Sequence, residues 1–523
     1  MEAVIKTSPS SEGAERWILI ITAISCALIE MIDATIVNVA LPEISGSVGA
    51  TRTEIAWVTT AYSIANVIII PLSGMLSNLF GRKAYFTGSV ILFTSCSLMC
   101  GMSTSLGEIV LWRFLQGAGG GGLLSTAQSI VIDAYPPEKI NTANAIFGIG
   151  VIVGPVIGPV LGGLIVEKLS WHWIFFVNLP VGTVAAFLSL LYVSDLEGSI
   201  KPARIDWWGI IFLSVAVGSL QYVLEEGGIQ DWFSSTTILV LSVIAILGTI
   251  AFVFRELSID YAAVNIRLLN NFNLSLGNFL MFVSGGVMAG AMFIFPLFVR
   301  VSLGWTPLQT GLFLMYFAAS ATIGIVLSRK ILESGINPKV VMITGLLLMS
   351  AYLFILSFST PDTPANSYIL PLILGGSGAT AFMLPVMSLS VGGLRGADLA
   401  QGTGLSNMLK RLGTAIGIAA LNIFLDHQNA HAAVAMSAYI TEYNPISMER
   451  LQALRQFFIS AGYATDDALK AAYEMLENML RQQQVLVSYD HGYLLMSIAI
   501  LICIPLILLT RDQREKSVEK KST

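Results

Sequence analysis

Charged residues are scarce in this chain. Asp, Glu, Lys and Arg make up 12% of its 523 residues, whereas hydrophobic residues make up 55% and the mean hydropathy is +0.75. Soluble domains carry about 25% charged residues, so this composition excludes an ordinary soluble protein. Apolar runs recur at intervals of about 30 residues, which predicts helices that each cross a bilayer with about 20 apolar residues. Strands of a membrane barrel would be shorter and would alternate in polarity.

Cysteine is also rare. The four cysteines are Cys26, Cys96, Cys100 and Cys503, and all lie inside apolar runs. Their spacing matches neither paired extracellular cysteines nor metal ligands, so we interpret them as small buried hydrophobic residues.

Catalytic and cofactor motifs are missing from the sequence. The glycine-rich run at 117–122 is not followed by the Gly-Lys-Ser/Thr of a phosphate-binding loop, so it predicts close helix packing instead. His427 and His431 are four residues apart, but no Cys or carboxylate lies in register with them. We interpret them as part of a solvated helix face, and expect no enzyme activity, no metal site and no cofactor.

The apolar segments number fourteen. The first is too long for the core of a signal peptide and contains two acidic residues, so we expect it to be retained as a spanning helix. The expected spans are 17–41, 53–76, 84–103, 107–133, 141–166, 173–194, 206–226, 235–255, 273–299, 307–328, 338–359, 367–393, 402–425 and 489–510. The sequence therefore predicts an all-α polytopic membrane protein.

The spacing of these segments predicts how the chain is divided. The two helices at 206–255 are interpreted as an insertion between an N-terminal bundle at 17–194 and a C-terminal bundle at 273–510, each of six helices. Tails at 1–16 and 511–523 complete the chain.

Positive charge predicts the orientation. With the N-terminus inside, 18 Lys and Arg residues fall on the inside and 7 on the outside, four of these in one long loop. Short inside loops are enriched in Lys and Arg, so both termini are expected in the cytoplasm.

The long outer loop at 426–488 contains two amphipathic helical patterns. Ser447 is the expected cap of the first, and the second begins at Thr465. A loop of this length with its own helices is usually functional. We interpret it as a docking surface for an adaptor protein, with a lid over the outer mouth as the alternative.

Two acidic residues and one arginine stand out in the predicted membrane helices. Glu30 and Asp33 are three residues apart and share a helix face. Carboxyl groups at this depth normally face a cavity, where they bind and release protons or attract cations. Arg113 stays charged and needs a carboxylate or carbonyl partner. Structural pairing is the alternative role for all three.

The fifth span carries a glycine stripe. Gly150, Gly154, Gly158 and Gly162 recur every four residues, with Pro155 among them. Such a stripe allows close helix approach, and proline permits bending. We interpret it as a bending seam between the two halves, with packing alone as the alternative.

Two further pairs of charged residues lie at helix ends or inside a span. Glu225 and Glu226 end the seventh span, where they form either a second protonation site or an exposed anionic cap. Lys410 and Arg411 in the thirteenth either extend to the cytoplasmic surface or line the cavity.

Several of these segments resemble the major facilitator superfamily, and within it the EmrB-type, fourteen-helix drug:proton antiporters. The resemblance covers nearly the whole chain. Its motifs are Asp33-Ala-Thr-Ile-Val-Asn38-Val-Ala-Leu-Pro42, Leu111-Trp-Arg113-Phe-Leu-Gln116-Gly117, the glycine stripe from Gly150 to Gly163, Trp171 to Gly182, Asp206-Trp-Trp-Gly209, Gln221-Tyr-Val-Leu-Glu225 with Asp231-Trp-Phe233, and Leu405 to Gly417.

The resemblance implies a function. It implies a twelve-helix transporter core with two extra central helices in a bacterial inner membrane. It implies proton entry in exchange for drug exit, with Asp33 and Arg113 as coupling residues and without a cofactor. Glu225 falls where the family often has an acid, and Glu30 is a further candidate from its position beside Asp33. It also implies a periplasmic adaptor and, through it, an outer-membrane channel of the TolC kind.

The loop between the second and third spans departs from the superfamily pattern. It carries Gly74, Asn78, Gly81 and Arg82, where the superfamily usually has Asp-Arg in place of Asn78 and Leu79. Asn cannot form the ion pair that Asp makes, which leaves a charged cytoplasmic gate uncertain at this position.

The substrate cavity is expected between facing helices, where aromatic and Met side chains adapt to varied hydrophobic ligands. The expected lining residues are Asn38, Phe279, Phe282, Met288, Phe293 and Phe295. Other functions are compatible with the sequence: export of one endogenous metabolite such as a siderophore, a proton-coupled uptake symporter, and a non-transporting membrane sensor or assembly protein.

Overall fold

The computed structural model describes residues 13–136, 139–195, 206–259, 264–391, 394, 396–437, 440–441 and 443–510. Within them, helices are the only regular secondary structure. The expected tail at 511–523 and most of the tail at 1–16 lie outside the described residues.

Within the described residues, the N-terminal part consists of nine helices, which cover the predicted spans and the short segments between them. These are α1 Ala14–Val48, α2 Arg52–Ile55, α3 Trp57–Phe80, α4 Arg82–Met102, α5 Leu106–Gly120, α6 Leu123–Asp133, α7 Ile140–Lys168, α8 Trp173–Phe176 and α9 Asn178–Tyr192. The inserted pair is α10 Trp207–Glu226 and α11 Thr236–Ser258.

The C-terminal part continues the same pattern. Its helices are α12 Phe272–Leu303, α13 Pro307–Glu333, α14 Pro338–Leu356, α15 Ile369–Val391, α16 Gly396–Ser437, α17 Pro445–Ser460, α18 Thr465–Leu501 and α19 Cys503–Leu508. Short 3-10 helices lie at Trp232–Ser234, Ile266–Asn270 and Ala365–Tyr368.

All fourteen predicted segments coincide with helices. Twelve helices of the described residues are long and apolar enough to cross a membrane. The other two predicted spans fall on the α5–α6 pair and on α7. The predicted fold class, an all-helical polytopic membrane protein, is confirmed.

Local chemistry fixes several helix ends. Thr51 caps α2 in a reciprocal capping box with Glu54. The backbone N–H of Thr51 and its hydroxyl both donate to that carboxylate. These hydrogen bonds, the backbone one first, lower the pKa of Glu54 below its ordinary value. Gly49 and Gly304 end α1 and α12 with φ of 67° and 68°, a backbone conformation that glycine adopts without steric cost.

The predicted fourth span is two helices rather than one. The break between α5 and α6 falls at Gly121 and Gly122, where neighbouring helices approach closely. A Cβ at Gly121 would lie 2.6 Å from the carbonyl oxygen of Asn66, and one at Gly122 would overlap the hydroxyl of Tyr85. This confirms the prediction that the glycine-rich run serves packing.

The glycine stripe of α7 faces α1 inside the N-terminal bundle. A Cβ at Gly154 would lie 2.6 Å from Met31 Cβ, and one at Gly162 would lie 2.9 Å from the carbonyl oxygen of Ile36. Gly150 and Gly158 also pack against α1, on Ile24 and on Thr35 respectively. Pro155 belongs to α7, but its side chain lies outside the described residues.

The prediction that this stripe forms a seam between the two halves is therefore wrong. The face of α7 that meets α13 of the other bundle is a different one. There a Cβ at Gly148 would lie 3.3 Å from Ile325, and one at Gly311 would lie 3.0 Å from Val160.

The outer segment at 426–488 differs from the prediction in its helix boundaries. Helix α16 runs on to Ser437, and α18 passes without a break from the second amphipathic pattern into the last span. Asn444 rather than Ser447 caps α17, since its side chain accepts a hydrogen bond from Ile446 N at 3.1 Å. Leu451, Ala468 and Ala472 are buried in this helical hairpin.

The two bundles meet at the end of the molecule that carries Arg82. Asn407 of α16 donates to Ser125 Oγ at 3.1 Å and to Gln128 Oε1 at 3.3 Å. Asn144 donates to Ser388 Oγ at 3.3 Å, and Leu274 and Leu399 join the apolar core of the N-terminal bundle. The molecule is therefore closed at this end.

Candidate functional site: a buried charge network in the N-terminal bundle

An ion pair lies in the interior of the N-terminal bundle. Arg113 Nη1 of α5 is 2.6 Å from Asp33 Oδ2 of α1. The side chains of Asp33 and Arg113 are 0% and 1% exposed. Removing two charges from water costs several kcal/mol per ion, so such a pair persists only where further hydrogen bonds satisfy it.

Two amide side chains supply those hydrogen bonds. Gln116, one helix turn after Arg113, donates to Asp33 Oδ1 at 3.0 Å and accepts from Arg113 Nη1 at 2.9 Å. Asn178, at the start of α9, donates to the same Asp33 oxygen at 2.8 Å and contacts Ser97 Oγ at 3.0 Å. Asp33 is thus held by residues from two other helices.

The remaining faces of Arg113 are also occupied. Its Nε donates to the carbonyl oxygen of Val58 at 3.1 Å, and its guanidinium carbon lies 4.0 Å from the ring centroid of Tyr62. This cation–π contact and the backbone bond come from α3. The network therefore links α1, α3, α5 and α9.

Glu30 lies one turn before Asp33 and is 2% exposed. Asn66 of α3 donates to Glu30 Oε1 at 3.1 Å. Within the described residues, Glu30 Oε2 and the hydroxyl of Tyr62 have no hydrogen-bond partner. Both side chains pack on Gly120, whose missing side chain makes the room for them.

Both charges of this pair are needed for its stability. Removing one partner of a buried ion pair costs about 3–5 kcal/mol. A change in the charge of Asp33 would therefore act on the helices α1, α5 and α9 that meet there.

Glu225 and Glu226 lie apart from this network, at the end of α10. Gln221 donates to Glu225 Oε1 at 2.7 Å, and Glu226 is the more buried of the two, at 5% exposed. Glu226 interacts with Thr60 of α3 and with Gln230.

The loop between α3 and α4 contains an ion pair that does not use Asn78. Arg82 Nη1 lies 2.6 Å from Asp133 Oδ2, and its Nε donates to the carbonyl oxygen of Ser194 at 3.1 Å. Asn78 is buried, and its Oδ1 has no partner among the described residues.

Gly81 of this loop permits a close contact. Gly81 has a φ of 88°, and a Cβ on it would lie 2.8 Å from Asp195 Oδ1. Gly74 borders a small polar recess beside Arg82 and Ser129. An ion pair exists here without the usual Asp, because Asp133 supplies the carboxylate.

The expected cavity residues differ in burial. Asn38, Phe279 and Phe293 are exposed, whereas Phe295 is 0% exposed inside the core of the C-terminal bundle. Phe282 and Met288 are half-buried. Their role in substrate binding stays a prediction.

His427 and His431 are both exposed. Among the described residues, no group of three or more His, Cys, Asp and Glu side chains is arranged to hold a metal ion.

Comparison with known proteins identifies the family. The profile of the Major Facilitator Superfamily matches residues 23–418. The chain is 30% identical to the multidrug export protein EmrB of Haemophilus influenzae over 87% of this chain and 89% of that protein. It is 29% identical to the probable multidrug resistance protein EmrY of Escherichia coli, over 97% of each chain.

The chain belongs to the major facilitator superfamily, in the group of the EmrB proteins. The crystal structure of the human organic anion transporter MFSD10 shares the fold, with a TM-score of 0.59 at 15% identity over 94% of this chain and 100% of that one. As a member of this superfamily, the chain is a membrane transporter and not an enzyme.

Four residues of the network around Asp33 and Glu30 have no role that the sequence alone predicts. Gln116 and Asn178 both lie in the quoted family motifs, and Tyr62 and Asn66 lie on α3. A signal was present for Gln116, since a residue three positions after Arg113 shares its helix face. For the other three, only the packing of helices reveals the partner.

Proposed function

We propose that this protein is a proton-coupled antiporter that exports hydrophobic and amphipathic drugs across the inner membrane of a bacterium. The observation that carries the proposal is the fully buried Asp33–Arg113 pair with its amide partners. The similarity to EmrB and EmrY, which are named for multidrug export and resistance, supports the drug-export part.

The driving force is the proton gradient, without a cofactor. A proton moving inward yields about 2.3 kcal/mol per 100 mV, and about 1.4 kcal/mol corresponds to a tenfold concentration ratio. One proton per cycle would thus sustain a substrate gradient above tenfold. Asp33 is the primary proton acceptor in this proposal, and Glu30 and Glu225 are secondary ones.

The distribution of Lys and Arg supports an orientation with both termini in the cytoplasm. The end that carries Arg82 is then cytoplasmic, and the hydrogen bonds of Asn407 and Asn144 close the cytoplasmic side. In this proposal, proton uptake and release alternate with the opening and closing of that end.

The hairpin of α17 and α18 is the proposed docking surface for a periplasmic adaptor, which would connect the transporter to a TolC-like outer-membrane channel. Ile446, Phe457, Tyr463 and Tyr473 are each more than half exposed on this hairpin. Exposed apolar residues grouped in this way are typical of protein interaction surfaces.

The first test is efflux of a fluorescent dye from cells that express the wild type, Asp33→Asn or Glu43→Gln. Glu43 lies on the same helix but is exposed, so it is the matched control. We expect an uncoupler and Asp33→Asn each to abolish efflux, and Glu43→Gln to retain it. Uncoupler-sensitive efflux that survives Asp33→Asn would move the coupling site elsewhere, and efflux insensitive to the uncoupler would refute proton coupling.

A further inference from the structure

Arg411 lies on the side of α16 that packs against the N-terminal bundle. The residues of α16 at 404, 407 and 411 share one helix face. Gly404 packs against the carbonyl oxygen of Ile70 of α3, and Asn407 hydrogen-bonds Ser125 and Gln128 of α6. This face is therefore the one that meets the other bundle, and Arg411 continues it by one turn.

The level of Arg411 in the membrane follows from helix geometry. Helices α3 and α16 run in opposite directions, and each residue advances about 1.5 Å along the axis. Moving two turns along α16 from Gly404 to Arg411 corresponds to moving two turns back along α3 from Ile70. That step leads past Asn66 to the level of Tyr62, the two residues that surround Glu30.

The electrostatics agree with this placement. The charge of Arg411 acts on both Glu30 and the hydroxyl of Tyr62. The other charges that act there are Asp33 on α1 and Arg113 on α5. Arg113 is already paired with Asp33, whereas Arg411 has no hydrogen bond or ion pair with any described residue. Glu30 Oε2 is equally without a partner in the described part of the chain.

We propose that Arg411 is the counter-charge of Glu30 across the interface between the two bundles, and that this pair makes the approach of the bundles depend on the protonation of Glu30. The inference rests on the proposed proton coupling and adds a positioning residue to it. When Glu30 is ionised, it attracts Arg411 and holds the bundles together at this level. When Glu30 is protonated, the attraction is lost and the bundles separate there.

Lys410 provides a matched control on the same helix. It is also cationic, but its side chain packs on Gly285 of α12 inside its own bundle. A Cβ placed on Gly285 would lie 3.2 Å from Lys410 Cγ. Substitution of Lys410 therefore removes a neighbouring charge of α16 without removing the one that faces Glu30.

The test measures conformation rather than transport, so it does not depend on knowing a substrate. Spin labels are placed on cysteines at Ser47 and Asn366, which are exposed at the end opposite Arg82. The four native cysteines are buried, so they compete little for the label. The distance between the labels is measured in nanodiscs over a pH series, without a proton gradient.

We expect the wild-type distance to change with pH. Because the attraction needs both charges, Arg411→Gln should abolish most of that change and leave the labels at the low-pH distance throughout the series. Lys410→Gln should retain most of the change, Arg411→Lys should stay near the wild type, and Arg411→Gln should have no further effect in a Glu30→Gln background.

Two results would overturn the proposal in distinguishable ways. A wild-type change with pH that Arg411→Gln and Lys410→Gln reduce to the same extent, or that both retain, would reject the specific pair and leave proton coupling intact. A wild-type distance that does not change with pH would reject this pair together with proton control of the conformation.

Discussion

At the scale of single residues, Asp33 is held by hydrogen bonds from Arg113, Gln116 and Asn178. Charged groups in membrane helices are costly and seldom occur without a role, which makes Asp33 and Arg113 conspicuous. An amide in a helix indicates no particular partner, so the position of Gln116 and Asn178 on Asp33 depends on how α5 and α9 pack against α1.

The structure predicts that Asn178 contributes to transport through Asp33. A hydrogen bond to a charged group contributes about 1.5–3 kcal/mol, so Asn178→Ala should lower the maximal rate of dye efflux by about tenfold or more. Ser189→Ala is the control, since Ser189 lies on the same helix and its buried hydrogen bond to Thr87 is remote from Asp33. Equal losses in both variants would indicate a general defect of α9 instead.

At the scale of helices, sequence patterns predict that a helix exists and what type it is better than they predict which helices it packs against. The fourteen apolar segments all fall on helices of the described residues, twelve of which are long and apolar enough to span a membrane, because an apolar run of this length predicts a helix without reference to its neighbours. The glycine stripe of α7 was recognised as a packing face, but its partner was predicted wrongly. Glycine spacing shows that some helix comes close, whereas the identity of that helix, α1, depends on the arrangement of the whole bundle.

Adjacent glycines of α7 give a matched pair for testing this packing. Gly162→Ala should lower the melting temperature of the purified protein by several degrees, because the new Cβ would lie 2.9 Å from the carbonyl oxygen of Ile36 and overpacking costs about 1–3 kcal/mol. Gly163→Ala should leave it unchanged or raise it slightly, since its Cβ would meet nothing within 4 Å. Thermal unfolding followed by fluorescence compares the two; equal effects would contradict the assigned face.

At the scale of the whole molecule, the contacts between bundles decide which end is closed. Sequence alone predicted two bundles and their order, but not their relative arrangement. That arrangement depends on pairs such as Asn407 with Ser125, which are 282 positions apart in the chain. Polar residues of this kind have no periodic signature, because they act only where two separate surfaces meet.

Loss of these contacts should open the end that carries Arg82. In Asn407→Ala, a cysteine introduced at the buried interface residue Ser73 should react with a water-soluble maleimide several-fold faster than in the parent. Ser406→Ala is the control, because Ser406 bonds Asn278 within its own bundle at 2.6 Å. An unchanged rate in Asn407→Ala would show that the polar contacts do not hold this end closed.

The unbroken course of α18 has a mechanical consequence. With 37 residues at about 1.5 Å each, this helix is a rod of roughly 55 Å. Its apolar C-terminal part packs against α12, α14 and α16, while its N-terminal part carries the hairpin with α17. Because the helix is continuous, a tilt of only a few degrees of its membrane part displaces its N-terminal end by several ångströms. The hairpin is thus a lever arm, through which a protein bound outside the membrane would sense each turnover inside it.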